Sequence, residues 1–429
     1  MKRVYLVSLG CPKALVDSEH ILGLLERTGY TPVNSPHDAH LLVVNTCAFI
    51  QDATQESIET ILALAQEKRK DQTLTVVGCL PQRYGREIEK AIPEVDLWID
   101  LHSLENLDKI LEGRQPPSSP HTFLARSSMP RHRLTPFSWA YLKISEGCNN
   151  RCYYCTIPSI RGPLRSRPLE DLVEEARRLA GEGVAEINII AQDITRYGED
   201  LGYRGGLLRL LDALEEIQGI QWIRLMYAHP AGVTRELTER LGQGKVLPYL
   251  EMPIQHIDDK VLESMGRRGG KKAVIEALEW LTARGEIFLR TTVMVGFPTE
   301  GEREFQELMD FLGKAPLFRL AAFAYSPEEG TPAAQLDQLP QEEPLDRLNR
   351  VLAFQEELHY ARNLELVGKR VPILMEEPGW GRFPGQAPEI DGKVRVQVEV
   401  KAEVEKEGGT LIEAMITDAD GVDLYASTP

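Results

Sequence analysis

The fold is decided by a stretch near the middle of the chain, Glu146-Gly147-Cys148-Asn149-Asn150-Arg151-Cys152-Tyr153-Tyr154-Cys155. It follows directly on an apolar run, Ala140–Ile144, that is typical of a buried β-strand. Three thiolates this close together can bind three corners of a 4Fe-4S cluster, which takes four ligands in all. The fourth iron would then be open to a ligand from outside the chain.

A structural zinc ion is the main alternative for Cys148, Cys152 and Cys155, because zinc also takes closely spaced thiolates. Zinc prefers a fourth cysteine or histidine close by, and the sequence has neither between Cys155 and His229. A third alternative, three unliganded buried cysteines, is improbable at this spacing. The pattern therefore favours a cluster.

Downstream of this stretch, strand-like runs alternate with helical patterns as far as about Pro327. Repeated βα units predict a barrel, complete or partial, with its chemistry at the C-terminal ends of the strands. The six predicted strands are Ala140–Ile144, Glu186–Ala191, Trp222–Tyr227, Tyr249–Pro253, Ile287–Val295 and Phe318–Tyr325. The predicted helices between them cover 169–181, 206–217, 271–284 and 303–313.

Upstream, the chain from its start to about Gly113 also alternates strands and helices, which predicts an α/β domain with a parallel sheet. Residues 114–136 are rich in proline and serine and are predicted to be a linker. The predicted strands are Arg3–Leu9, His40–Asn45 and Thr73–Val77, and the predicted helices are Asp17–Arg27, opened by an acidic first turn, and Thr54–Lys68.

The other three cysteines, Cys11, Cys47 and Cys79, each come just after one of the three predicted N-terminal strands. The carboxyl ends of parallel strands share one edge of a sheet, where ligands bind. A helix N-terminus, as after Cys11 and Cys47, also favours a thiolate. The alternative is that each is an ordinary buried cysteine. Three at equivalent positions favour a second cluster with an open iron.

The C-terminal part of the chain has a different pattern of predicted helices and strands. Residues 340–365 form a charged helical pattern that bridges two domains. After Gly368, short alternating strands with glycine and proline turns predict a small β-barrel. The predicted strands there are Lys393–Val400 and Leu411–Ile416.

Bulk composition limits the function classes. A chain of 429 residues predicts two or three domains. Its apolar stretches are too short to span a bilayer, and its first residues resemble a strand rather than a signal peptide, so the expected location is the cytoplasm. The net charge of −16 weakens, without excluding, a nucleic-acid partner.

The motifs together resemble the methylthiotransferase family of the radical S-adenosylmethionine superfamily, over essentially the whole chain. The Gly-Cys-Pro-Lys form resembles the RimO branch, which modifies a ribosomal protein. Ala14, where asparagine is common, and Thr299, where glycine is frequent, depart from the pattern without touching a cluster ligand. The motifs that carry the resemblance are the CxxxCxxC stretch, Leu9-Gly10-Cys11-Pro12-Lys13, Val16-Asp17-Ser18-Glu19, Asn45-Thr46-Cys47, Gly78-Cys79, Arg161-Gly162, Arg165-Ser166-Arg167-Pro168, Ala191-Gln192-Asp193-Ile194-Thr195-Arg196-Tyr197-Gly198, Pro253-Ile254-Gln255-His256 and Gly296-Phe297-Pro298-Thr299-Glu300.

The resemblance implies an α/β fold in four parts. Residues 1–113 would be the N-terminal domain for the auxiliary cluster, and 114–136 the linker. Residues 137–365 would be a (β/α)6 partial TIM barrel of radical S-adenosylmethionine type with its bridging helix. Residues 366–429 would be a small, OB-like TRAM barrel that docks the substrate.

The resemblance also implies the chemistry. Two 4Fe-4S clusters and S-adenosylmethionine serve as cofactors, and the product carries a methylthio group on the β-carbon of an aspartate in small-subunit ribosomal protein uS12. One S-adenosylmethionine donates a methyl group, and a second is cleaved to a deoxyadenosyl radical that removes the β-hydrogen. That hydrogen is not acidic, so acid–base catalysis could not remove it. The expected electron donor is flavodoxin-like.

The implied site residues fall into three groups. The metal ligands are Cys11, Cys47, Cys79, Cys148, Cys152 and Cys155. Contacts to S-adenosylmethionine are expected from Tyr154, against the adenine, and from Gln192, Asp193 and Gly296. His229 and His256 are pocket candidates for which a structural role is at least as plausible, and Arg161, Arg165 and Arg167 would bind carboxylates at the site mouth or pair with surface acids.

Charge bears on the substrate. From Leu366 onward, 7 basic and 12 acidic residues give 7 − 12 = −5, which favours a basic protein over tRNA phosphates. The alternative explanation of this charge is a generic solvated surface. The alternative functions are a tRNA adenosine methylthiotransferase resembling MiaB, an iron–sulfur scaffold or electron-transfer protein, and a zinc-binding ribosome-associated factor.

Overall fold

The computed structural model describes residues 2–116, 119–397 and 409–428. Its N-terminal part is a parallel five-stranded sheet in which the first strand lies between the second and the third. Leu41–Thr46 is buried at every residue, as expected for a central parallel strand covered on both faces. The strands are Lys2–Ser8, Tyr30–Pro32, Leu41–Thr46, Thr73–Gly78 and Leu97–Ile99.

The first helix begins earlier than the sequence pattern predicts. It runs from Pro12 to Arg27, so Asp17 lies inside it and does not open an acidic first turn. Proline is favoured at the first helical position because its fixed φ suits the helix and its missing N–H is not needed there. The other helices of this part are Gln51–Glu67, Cys79–Tyr84, Arg86–Ala91 and Leu107–Leu111, with 3-10 turns at Pro36–Asp38 and Leu104–Asn106.

The central part is a six-stranded parallel sheet whose strands follow chain order from one edge to the other, which confirms the six predicted strands and the partial barrel. Its strands are Trp139–Lys143, Glu186–Ile190, Trp222–Leu225, Val246–Glu251, Phe288–Val295 and Arg319–Ala324. A short antiparallel pair, Ser145–Glu146 with Arg165–Ser166, closes the loop after the first strand. Helices follow the strands at Ile157–Arg161, Leu169–Gly181, Gly206–Glu215, Arg235–Arg240, Asp259–Ser264, Gly270–Arg284 and Glu302–Leu312, and 3-10 turns lie at Ile194–Arg196, Pro230–Gly232 and Pro332–Gln335.

The two faces of the central sheet have different partners. One face packs on its own helices and forms the largest apolar cluster. On the other face, Tyr141 and Tyr249 pack with Val16 of the first helix and with Leu374 of the C-terminal part. The N-terminal domain therefore docks through its first helix, and this docking carries Cys11 to the inner side of the barrel.

The linker is packed rather than free. The Arg131 guanidinium lies between Glu19 of the first helix, at 2.6 Å, and Glu175 of the barrel, at 2.5 Å, and all three side chains are buried. Arg167 contacts the other oxygen of Glu175 at 2.5 Å. Alternating buried charges thus hold the linker in the seam between the two domains.

The charged helix predicted to bridge two domains spans Glu342–Leu364. It packs along the last barrel strand and leads into the C-terminal domain. Across the described ranges, none of the helices combines the length and the apolar character needed to cross a bilayer.

The C-terminal part is a closed five-stranded barrel, as predicted, built around an apolar core that includes Ile373 and Phe383. The predicted strand Lys393–Val400 is observed as Val394–Gln397, and its residues 398–400 lie outside the described ranges. The strands are Arg370–Glu377, Trp380–Arg382, Val394–Gln397, Leu411–Asp420 and Asp423–Ser427.

A buried carboxylate fastens this small barrel to the central sheet. Glu186 accepts hydrogen bonds from Arg224, at 2.7 Å, and from Arg382 of the C-terminal domain. All three side chains are essentially inaccessible to solvent. Burial opposes ionisation of Glu186, but the two guanidinium groups hold its pKa below the ordinary value.

Glu186→Gln is expected to destabilise the protein by about 2–3 kcal/mol, because two buried arginines lose their charged acceptor. The control is Glu199→Gln, since Glu199 is half-exposed and pairs with Arg196 on the surface; its cost should lie within about 0.2–1 kcal/mol. Urea denaturation under anaerobic conditions measures both. Equal midpoints for the two variants would contradict this role of Glu186.

Candidate functional site

The CxxxCxxC loop begins at Gly147, just after the short strand Ser145–Glu146. The φ of Gly147 is +75°, in the left-handed region. A Cβ at Gly147 would overlap the carbonyl oxygen of Pro163, so the close approach needs glycine. The Cys148 N–H donates to the carbonyl of Gly162 at 3.1 Å, which closes the loop. The chain therefore holds this cysteine at the strand end by its backbone alone.

The three thiols of this loop are free and partly buried. Burial raises the pKa of the Cys155 thiol to about 12. A bound metal supplies the positive charge that such a buried thiolate needs. Arg267 adds a second cation, because its Nη1 lies 3.8 Å from Sγ of Cys152.

The dispersed cysteines come together as the sequence predicts. Cys11 immediately precedes the helix Pro12–Arg27, Cys47 follows the strand Leu41–Thr46, and Cys79 opens the helix Cys79–Tyr84. The strands before them are neighbours in register, with Ser8 opposite Asn45 and Thr46 opposite Gly78. Three free thiols therefore meet at one edge of the sheet.

The electrostatic surroundings of this edge differ from one thiol to the next. Burial works to raise the pKa of Cys11, but Lys13, Arg161 and nearby backbone N–H groups lower it below the ordinary value. Burial, together with the two neighbouring thiols, raises the pKa of Cys47 to about 12. The charges of the protein thus favour the thiolate form more at Cys11 than at Cys47.

Gly10 controls the distance between Cys11 and Cys47. Its φ is +93°, and a Cβ there would lie 2.7 Å from Cβ and 3.0 Å from Sγ of Cys47. We expect Gly10→Ala to displace Cys47 and to lower the iron content of the reconstituted protein from about eight toward about four per chain. Iron analysis with electron paramagnetic resonance measures this loss.

Gly29→Ala is the matched control. Gly29 has a similar φ of +88°, but nothing lies within 4 Å of its Cβ position. Both variants thus carry similar backbone strain, but only the alanine at position 10 would contact Cys47. Equal iron contents in the two variants would show that strain, rather than crowding of Cys47, decides the outcome.

A buried charge network connects the two cysteine sites. Arg161 donates to Sγ of Cys79 at 3.3 Å, to Asp17 at 2.8 Å and to Glu146 at 3.0 Å. Lys143 also donates to both carboxylates, to Asp17 and, at 2.9 Å, to Glu146. Two cations therefore balance two carboxylates between Cys79 and the start of the CxxxCxxC loop.

The three arginines of the Arg161–Arg167 segment do not form a surface cluster. Arg161 and Arg167 are buried and bind carboxylates inside the protein. Arg165 is half-buried and donates to the carbonyl and hydroxyl groups of Thr122. Pairing with surface acids is therefore wrong for this segment.

Three of the four residues expected to contact S-adenosylmethionine surround the CxxxCxxC loop. Gln192 donates to Glu146 at 2.9 Å, and Asp193 accepts from Asn150 of the loop at 2.7 Å. Tyr154 belongs to the loop and packs against a small apolar cluster that contains Phe297.

Gly296, the fourth, has a φ of +74°, and a Cβ there would crowd Pro344 of the bridging helix. Its N–H donates to Glu300 at 3.0 Å. His256 lies 3.3 Å from the same glutamate and accepts the N–H of Asp258, contacts that favour the structural role over the pocket role. The close approach of a helix already explains why glycine is needed at position 296.

Several buried polar atoms on the inner side of the barrel have no hydrogen-bond partner within the described ranges. They are Oγ of Ser145, both amide atoms of Asn188, Oε1 of Gln192, Nε2 of His229 and Oε2 of Glu251. Buried polar groups normally find partners. These orphans therefore fit a polar ligand within the barrel, as S-adenosylmethionine would be.

In the parts of the chain that the structure describes, no three side chains of His, Cys, Asp or Glu are placed to hold one ion together. A 4Fe-4S cluster takes each thiolate on a different iron, so its thiolates stand farther apart than the ligands of a single ion.

Sequence reasoning missed Lys143 and Arg267 as parts of this site. Lys143 is the last residue of a strand that otherwise reads as apolar, and no motif marks Arg267. The Val16–Glu19 motif contained Asp17 as a signal, but nothing in it indicated that Asp17 would reach Arg161.

Comparison with family models agrees with this architecture. Residues 3–100 match the model described as Uncharacterized protein family UPF0004. Residues 142–312 match the Radical SAM superfamily, and residues 367–428 match the TRAM domain.

Solved structures resemble the fold at low sequence identity. The radical S-adenosylmethionine methyltransferase TsrM from Kitasatospora setae, solved with cobalamin and a 4Fe-4S cluster, has a TM-score of 0.55 at 15% identity, covering 78% of this chain and 77% of that one. The cobalamin-dependent radical enzyme OxsB has a TM-score of 0.52 at 14% identity, covering 83% of this chain and 56% of that one. These likenesses concern the fold alone.

Curated relatives are much closer in sequence. The ribosomal protein uS12 methylthiotransferase RimO of Carboxydothermus hydrogenoformans is 41% identical, over 98% of both chains. That of Desulforudis audaxviator is 44% identical, over 99% of this chain and 96% of the relative. With both cysteine sites at one barrel mouth and this identity over its whole length, the chain belongs to the RimO family of ribosomal protein uS12 methylthiotransferases.

Proposed function

We propose that this protein is a radical S-adenosylmethionine enzyme that places a methylthio group on the β-carbon of an aspartate in ribosomal protein uS12. One observation carries the proposal. Two separate sets of three free cysteines lie at the same barrel mouth, and Arg161 touches both regions, contacting Cys79 and Glu146. A methylthio transfer needs a sulfur-bearing site close to a radical-generating site.

The residues fit two 4Fe-4S clusters. Cys148, Cys152 and Cys155 would hold one cluster, and Cys11, Cys47 and Cys79 the other. When bound, the clusters supply the electron that cleaves S-adenosylmethionine and the site at which the transferred sulfur is carried.

S-adenosylmethionine would lie on the inner side of the barrel, against Tyr154, Gln192, Asp193 and Gly296. Gln192 supports this assignment best, because its Nε2 is held by Glu146 while its Oε1 is left without a partner. Asp193 is held by Asn150 of the cysteine loop. Both side chains are therefore fixed before the cofactor arrives.

The protein's own part in the reaction is to position groups and to exclude water. The aromatic side chains Trp139, Tyr141, Trp222 and Tyr249 fill the inner face of the sheet and are buried. A dry interior strengthens each charged contact in the site and protects a radical from side reactions.

The division of labour follows the parts of the chain. We assign the auxiliary cluster to residues 1–113, the radical chemistry to 137–365 and substrate docking to 366–429, with 114–136 as the connection. In the C-terminal barrel, the strand Leu411–Asp420 exposes the acidic side chains of Glu413, Asp418 and Asp420. Together with the net charge of −5, this surface suits a basic ribosomal protein better than RNA.

Two further partners belong to the proposal. The electron would come from a reduced flavodoxin-like protein, because the cluster that cleaves S-adenosylmethionine must be reduced before each cleavage. The enzyme would act in the cytoplasm, where ribosomal proteins are found.

The test is an anaerobic reaction of the iron-loaded enzyme with dithionite and S-adenosylmethionine, offered ribosomes, free uS12 and tRNA in parallel. We expect uS12 to gain about 46 Da, the mass difference when methylthio replaces hydrogen. Fragmentation of the peptide then locates the aspartate.

Each rival predicts a different result. A mass gain on tRNA alone would make this protein a tRNA-modifying enzyme. Iron-loaded protein that releases no deoxyadenosine under reduction would leave only a scaffold or electron-transfer role.

A further inference from the structure

Lys13 is a buried lysine whose amino group is paired with no carboxylate of the described ranges. The residue is 8% exposed, and its Nζ lies 3.2 Å from the centre of the Tyr227 ring. Within the described ranges its ammonium forms no salt bridge. A buried charge is normally paired. The cation–π contact with Tyr227 is only a partial substitute for an anion.

The position of Lys13 lies where a substrate has to bind. Lys13 follows Cys11 by two residues, in the first turn of the helix Pro12–Arg27. The next residues, Leu15 and Val16, pack on the inner face of the barrel. Its contact, Tyr227, comes just after the strand Trp222–Leu225. The ammonium therefore lies between the auxiliary cysteines and the C-terminal ends of the barrel strands.

The backbone of Tyr227, whose ring lies against the Lys13 ammonium, is strained. Tyr227 has a φ of +67°, a left-handed conformation that is rare for an aromatic residue. The backbone carbonyl of Tyr227 accepts the N–H of Ile194 at 3.1 Å, which helps to hold it there. Strain of this kind persists where it serves a site.

Burial lowers the pKa of Lys13, and four other charged or titratable groups act on it. They are Cys11, Glu251, Arg161 and Glu146. Glu146 is bound to Arg161 and to Lys143. Glu251 forms no salt bridge with Lys13, and its Oε2 has no hydrogen-bond partner within the described ranges. Cys11 belongs to the auxiliary site. The ammonium thus has N–H donors for one further anion.

We propose that Lys13 binds the carboxylate of the substrate aspartate and makes the enzyme select an acidic side chain. This inference rests on the proposed function. A charge-assisted hydrogen bond in a water-poor site holds the carboxylate in one direction, which directs the β-carbon between the two cysteine sites. An amide in the same place cannot balance the charge. Lys13 makes and breaks no covalent bond.

The test compares native uS12 with uS12 in which the modified aspartate is replaced by asparagine. Dissociation constants are measured anaerobically on the iron-loaded enzyme. We expect the wild type to bind the aspartate form about 10- to 100-fold more tightly than the asparagine form. Lys13→Met, which removes the charge at similar length, should bring this ratio close to one.

Two further variants make the comparison specific. Lys272→Met, at an exposed lysine that pairs loosely with Glu276, should keep the wild-type ratio. Lys13→Arg retains the charge and should keep a preference for the aspartate form. Iron content is measured in every variant, so that the binding ratios are compared at equal iron loading.

Three results would overturn the assignment. One is an unchanged ratio in Lys13→Met, and another is a Lys13→Arg variant without any preference. The third is loss of iron from Lys13→Met, which would show that Lys13 supports the auxiliary cysteines instead. Failure of the proposed function is seen separately, as a wild-type enzyme that adds no methylthio group to uS12.

Discussion

Replacing Cys148, Cys152 and Cys155 together by alanine is expected to abolish deoxyadenosine formation and methylthio transfer alike. These thiols are the only cysteines on the loop that follows the first barrel strand. Without them nothing holds the cluster that reduces S-adenosylmethionine, and iron should fall from about eight to about four per chain. Chromatography of the nucleoside products and iron analysis measure the two effects.

The counterpart is the triple replacement of Cys11, Cys47 and Cys79. It should also retain about four irons, but deoxyadenosine should still form, while uS12 gains no methylthio group. The two variants lose the same number of thiols, so a difference between them cannot come from thiol count. If both released deoxyadenosine equally, the assignment of the radical site to the CxxxCxxC loop would be wrong.

Arg161→Met is expected to destabilise the protein by about 3–5 kcal/mol, the usual cost of removing one partner from a buried ion network. Arg161 and Lys143 together balance Asp17 and Glu146, all of them buried. Removal of the guanidinium leaves one uncompensated negative charge and a Cys79 thiolate without its donor. Urea denaturation and the iron content of the auxiliary site are the measurements.

Arg240→Met is the matched control, because Arg240 also binds two carboxylates but is partly exposed. Pairs of that kind contribute about 0–1 kcal/mol. A loss of stability in Arg161→Met no larger than in Arg240→Met would refute the structural importance of the buried network. Retention of full iron in Arg161→Met would refute its support of Cys79.

Elements with strong local patterns were predicted well. All six barrel strands were found from apolar runs, and the helix predicted at 169–181 is observed at Leu169–Gly181. Hydrophobic periodicity is a local property, since it depends on which side of a strand or helix meets the core. The sequence pattern predicts that the first helix starts at Asp17 rather than Pro12, because the turn after Pro12 lacks acidic residues.

The roles of charged side chains were predicted poorly. The sequence predicts Arg161, Arg165 and Arg167 at the site mouth or in surface pairs, yet Arg161 and Arg167 lie in the interior. Basic residues are usually exposed, so a prediction from composition assigns them to the surface. Only a partner brought from another part of the chain makes their burial possible.

The sequence by itself determined the two sets of cysteines, the order of the six barrel strands, and the succession of an α/β part, a partial barrel and a small β-barrel. Each of these depends on residues close together in the chain or on strand ends that any parallel sheet aligns. The tertiary structure alone decided that Arg161 would meet Asp17, 144 residues away, and Cys79, 82 residues away. Such contacts depend on how the first helix docks on the barrel, because domain docking is set by the shape of whole surfaces and not by any local pattern.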